Sequence, residues 1–121
     1  MATSITLSAL YSFADTFYNS TAVVQVADNN IFGGPKTVYH INIVSGSSGV
    51  AYVKLYDALT ATVADDPAMI IKVAAGQTEN VAIPEGLAFG TGVCMRCVTT
   101  GGTGGVTDPG GGNVAVIVVG S

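Results

Sequence analysis

Residues 36–89 constrain the fold more than any other part of the chain. They hold four alternating or apolar runs, at 36–44 (KTVYHINIV), 49–57 (GVAYVKLYD), 69–74 (MIIKVA) and 78–83 (TENVAI), separated by Ser/Gly, Asp-Asp-Pro and Gly-Gln stretches. Turn-forming residues fall between the runs and not inside them, the pattern of a β-meander or of part of a β-sandwich. In the first run Tyr39, Ile41 and Ile43 share one face while Val38, His40 and Asn42 share the other, the period of two of a half-buried strand. Residues 45–49 (SGSSG) have the length of a hairpin loop. The runs on either side are therefore expected to pair as an antiparallel hairpin, with Ala51, Val53 and Leu55 inward and Tyr52, Lys54 and Tyr56 outward.

The flanks extend the pattern. Residues 21–27 (TAVVQVA) are expected to form a strand ended by Asp28-Asn29-Asn30. The stretch between Asp57 and Met69 is irregular, and Pro67 steers Asp66 away from helical geometry. Pro84-Glu85-Gly86 is expected to turn the chain again, before a further strand at 91–99 (TGVCMRCVT) and a mobile glycine-rich loop at 101–112. The last strand, 113–119, is apolar on both faces, so it is expected to be covered on both and central in its sheet. A chain that ends on a central strand is not a simple up-and-down meander. The fold class expected is all-β, an antiparallel two-sheet β-sandwich with jelly-roll or Greek-key connectivity. Residues 1–20 are expected to be an N-terminal arm or edge segment, and residues 21–121 a single β-sandwich domain.

Composition bounds the function. A chain of 121 residues makes one domain, large enough to bury about two thirds of the surface of its unfolded form. Only 10% of its residues are charged and 49% are hydrophobic, with mean hydropathy +0.54, where charged residues ordinarily make up about 25%. A surface built from Gly, Ser, Thr, Ala and Val suits close contact with neighbours, as in a subunit of an assembly. The longest apolar run, Val114 to Val119, is far short of the ~20 residues of a spanning helix, so no membrane partner is expected. The N-terminus lacks the basic and apolar regions of a signal peptide, and the protein is expected to be made and used without secretion. Net charge is −4, and the four basic residues Lys36, Lys54, Lys72 and Arg96 are scattered singly. Nucleic acid, which needs a clustered basic stripe, is not an expected partner.

Catalytic and metal chemistry find little footing. The single histidine, His40, lies within a run, where a sheet-surface role is the plain expectation. Cys94 and Cys97 have the spacing of a CxxC, but side chains three apart on a strand point to opposite faces, so they are expected to be buried free thiols and not a metal or disulfide pair. Asp65-Asp66 with Asp57 or Asp108 lacks the spacing of a calcium loop. Paired acids for glycoside hydrolysis would need an aromatic cleft, and there is no Trp. The GTGG around Gly102 does not follow a phosphate-loop pattern. No enzyme, cofactor or metal is expected.

The aromatics are the remaining candidates. Tyr11, Phe13, Phe17 and Tyr18 fall within eight residues, a large apolar payload that packs on its own domain or on a neighbouring subunit. Tyr52 and Tyr56 share one face of a strand, as a packing pair or as the aromatics of a carbohydrate-binding module.

One resemblance sharpens the assembly reading. Lys54-Leu55-Tyr56-Asp57-Ala58, a spacer with Pro67, Val73-Ala74-Ala75-Gly76, and then residues 81–92 (VAIPEGLAFGTG) resemble small virion proteins of tailed bacteriophages, in which a K-L-Y-D … P … (V/I)PAG … P-x-G-L-x-F-x-T-G pattern recurs. This chain departs from it at Ala75 and Glu85. The resemblance implies a β-sandwich on the particle surface, made in the host cytoplasm: a capsid decoration (cement) protein bound to the major capsid protein lattice, with head-fibre or tail components as near relatives. Such a protein stabilises the assembled lattice by binding it. At a three-fold junction the natural closed form is a homotrimer.

Overall fold

A computed structural model of the chain describes residues 16–121. Among these residues seven strands are formed: β1 (Thr16–Ser20), β2 (Lys36–Ser47), β3 (Ala51–Asp57), β4 (Met69–Val73), β5 (Thr78–Phe89), β6 (Val93–Val98) and β7 (Gly111–Gly120). Among the described residues there is no helix. The strands make two antiparallel sheets, one of four strands in the order β1-β7-β2-β5 and one of three in the order β4-β3-β6. Their inner faces meet in one core, as in a β-sandwich. Val38, Ile41 and Ile43 of β2 and Val114, Val116 and Val118 of β7 pack with Val53 and Leu55 of β3, Ile71 and Val73 of β4, and Met95 and Cys97 of β6. Each such side chain contributes about 1.5–3 kcal/mol on burial, and β-branched residues dominate because they fit a pleated surface.

The chain's last strand is central, as its apolar character requires: β7 lies between β1 and β2. Its inner residues are buried, but Ala115, Ile117 and Val119 on the outer side are only half-buried, so the expected cover on both faces is not there among the described residues.

Five other expectations change. Residues 45–49 are not a hairpin loop, because β2 and β3 belong to different sheets. Both edges of β2 are already taken, by β5 and β7, and the chain crosses to the other sheet at residues 48–50. Pro84-Glu85-Gly86 is not a turn between strands but a bulge within the long β5, where the partner of β2 jumps from Leu87 at Val38 to Ala82 at His40. Proline is tolerated there because no ladder donor is needed. Gly86 has φ 79°, and a Cβ on it would collide with Thr37 Cγ2. The same irregularity breaks the alternation in β2 against β7, where Val38 pairs with Gly120 and His40 with Val119. The extra residue puts Val38 on the inner side with Ile41 and Ile43, so strict period-two counting assigns it to the wrong face.

Residues 21–27 do not form a regular strand. The chain leaves β1, bonds once to β7 (Val23 N to Val114 O, 2.9 Å), then runs beside β6 through Cys97 N to Val24 O, a two-way Asp28–Met95 pair and Ile31 N to Val93 O. It changes sheets within a few residues, and Val24 and Val26 are left exposed. The glycine-rich segment, expected to be mobile, is a strap folded over the outer side of β3 and β6. It is tied down by Thr99 N to Thr107 O, Ser48 N to Gly110 O, and Gln25 N to the Asp108 carboxylate at 2.8 Å.

Candidate interaction surface

Two outer faces result, one per sheet. On the three-stranded sheet the outward side chains pair as Tyr52 with Val98, Lys54 with Arg96 and Tyr56 with Cys94. Tyr52, Lys54 and Tyr56 were expected to face outward from β3, and they do, yet the chain's own segments cover this face: Lys54 is 0% exposed, Arg96 1% and Tyr56 1%. Lys54 Nζ donates to Gly104 O. Arg96 donates through Nε to Gln25 O, through Nη1 to Tyr56 Oη and through Nη2 to Gly105 O. No carboxylate among the described residues pairs with either cation. Burial, and then the charge of Arg96, pull Lys54 below the ordinary lysine range. Tyr56 is thus held inside the fold, and only Tyr52, half-buried with its ring beside Gly101, retains a solvent edge.

The four-stranded sheet is different. Register places Phe17, Val119, His40 and Ala82 in one cross-strand row, and Asn19, Ile117, Asn42 and Asn80 in the next, with Ala115, Val44 and Thr78 below. These rows carry no Lys, Arg, Asp or Glu. Phe17 is 71% exposed and Val44 49%, and Asn42 Nδ2 donates to Asn80 Oδ1 at 2.7 Å. No bond or core cluster among the described residues lays a segment across it. The result is a pleated surface without Lys, Arg, Asp or Glu, on which exposed apolar side chains lie among Asn, Thr and His40, the chemistry of a contact face and not of a reaction site.

The candidate aromatics divide accordingly. Phe17 lies on the open face, opposite Val119. Tyr18, its neighbour, points inward and packs against the core, its hydroxyl 3.4 Å from Asp28 Oδ2. Burial and then the Asp28 charge raise its pKa. Tyr11 and Phe13 lie outside the described residues.

The other candidates find structural roles. Asp57 accepts from the amides of Thr91, Gly90 and Gly92, closing the turn between β5 and β6. These amides, Thr91 first, hold its carboxyl below the usual range, against a smaller opposing effect of burial. Residues 54–57 and 90–92, distant in sequence, are therefore joined in space by one carboxylate. Cys97 lies in the main core and Cys94 in a second cluster with Tyr56 and Ala61, on opposite faces of β6 as side-chain alternation requires. Burial pushes the Cys97 thiol up to about 12 and raises that of Cys94, so neither is a ready nucleophile.

No group of three or more His, Cys, Asp or Glu among the described residues converges as a metal site. A groove of about 230 Å³ beside Pro35, Thr37 and Phe89 is smaller than the ~300–1,000 Å³ usual for small-molecule pockets, and Lys36 is the one charged residue lining it. Among the described residues no helix is long and apolar enough to cross a membrane. Comparison of the chain with protein families, with curated proteins and with solved structures finds no match in any of the three.

Sequence reasoning missed the open face as a unit, although its signals were present in the outer residues of β7 and in Val44. It also missed the burial of Lys54 and Arg96, because alternation says which side a residue faces and not what covers that side.

Proposed function

We propose that this is a non-enzymatic structural protein of a tailed-phage particle, a capsid decoration protein that binds the head lattice of the major capsid protein and stabilises it. The observation that carries this is the uncharged outer face of β1, β7, β2 and β5, with Phe17 and Val44 exposed on it. A face without Lys, Arg, Asp or Glu meets a partner without the desolvation cost of burying such ions unpaired, so affinity comes from area and shape. The phage-like pattern around Lys54 to Gly92 supplies the identity of the assembly. Self-association as a homotrimer on the particle surface fits the same face.

Jelly-roll connectivity is part of this proposal. The orders β1-β7-β2-β5 and β4-β3-β6, with residues 24–31 flanking β6 in place of an eighth strand, support it. The alternative of a carbohydrate-binding module loses ground because Tyr56 is inside the fold.

Mass spectrometry of purified virions tests the role. The protein is expected at a fixed ratio to the major capsid protein, and on tail-less heads as well as complete particles. Its presence on tails alone would assign it to the tail, and its absence from particles would overturn the proposal.

A further inference from the structure

We propose that the Lys54–Arg96 pair beneath the strap is a binding site for a carboxylate, occupied when the Gly104 and Gly105 carbonyls move aside. The two cations stand directly opposite each other on β3 and β6. Like charges in that position repel, and a buried charge is costly unless it is paired. In a purely structural arrangement an acid would close the pair. Here the acceptors are three backbone carbonyls and one phenol, all neutral.

Each nitrogen of the two side chains has one acceptor, yet N–H bonds are left over. One of three ammonium donors and three of five guanidinium donors have acceptors among the described residues, so two on each side chain have none. A carboxylate supplies what is missing, since its two oxygens match the guanidinium fork and its charge offsets the repulsion. The acceptors it would displace belong to the strap, which is built largely of glycine and fixed by a few hydrogen bonds at Thr99, Asp108 and Gly110. The site lies on the opposite sheet from the open face, so its failure would leave the assembly role untouched.

The test is an NMR titration of the folded full chain with sodium acetate and, separately, with a tetraglutamate peptide, at ionic strength held constant with chloride. Saturable shifts of the Gly104 and Gly105 amides are expected. A response to acetate alone assigns the site to a free ion, and a stronger response to the peptide assigns it to an acidic segment of a partner. Lys54→Met is expected to fold with an unchanged or higher melting temperature and to bind about tenfold more weakly or worse. Arg96→Lys keeps the charge but not the fork, and is expected to weaken binding as well. The proposal is overturned if neither carboxylate gives a saturable shift, if inorganic phosphate alone does, or if both variants bind as the native chain does.

Discussion

Lys54 and Arg96 leave the core side of one sheet and end up sealed by the chain itself, whereas Phe17 and Val44 leave the core side of the other and stay in contact with solvent. Composition runs against this outcome, for the charged pair is covered and the apolar pair is open. The difference lies in the connecting segments that run past each sheet. Residues 21–31 and the strap at 99–110 both run over or beside β6, and nothing of comparable length among the described residues returns to the outer side of β7 and β2. A covered face contributes to stability, and an uncovered apolar face is available for association.

Substitutions on the two faces should therefore separate these roles. The largest effect is expected for Tyr56→Ala, which empties a buried site and removes an acceptor from Arg96; a loss of about 3 kcal/mol or more should appear in urea unfolding. A loss below about 1 kcal/mol would mean that the strap closes over the gap or does not cover this face in solution.

At the strap's end, Gly111 has φ 86°, and a Cβ there would lie 2.8 Å from the Ser48 amide nitrogen. Gly111→Ala should cost about 1–3 kcal/mol and increase amide exchange between residues 99 and 110 above that of the core.

Asp57 sharpens the comparison through pH. Its carboxyl is lowered in the folded chain, so its contribution is complete above the unfolded value and is lost as pH falls through the lowered one. The stability gap between the native chain and Asp57→Asn should be widest near neutrality and close from about pH 4 downward. A gap that persists at acid pH would show that the lost interaction is not ionic.

The smallest change in stability belongs to the open face. Phe17→Asp and Val44→Asp should each stay within about 0.5 kcal/mol of the native chain, since neither side chain is buried.

Much of the fold was legible in the residues. The strands at β2, β3, β4, β6 and β7, the two-sheet arrangement and the central last strand follow from alternation and from the VAVIVV run. The features that were not legible depended on partners distant in sequence. The SGSSG link looks like a hairpin until β5 and β7 are known to occupy both edges of β2. Pro84-Glu85-Gly86 has the composition of a turn, yet pairing on both sides with β2 keeps it inside one strand. The candidate surface was half legible: Phe17 was singled out for its aromatic neighbours, while Val44, Ile117 and Val119 only become one face once register aligns them.

If the open face of β1, β7, β2 and β5 is where the protein meets its own copies in an assembly, removing its apolar character must abolish self-association without unfolding the chain. Sedimentation equilibrium of the full chain beside a Phe17→Asp/Val44→Asp double variant tests this most directly. A native chain that self-associates to a trimer and a folded variant that remains monomeric are the expected results. A native chain that stays monomeric at high concentration, or a variant that associates as strongly as the native chain, would contradict it.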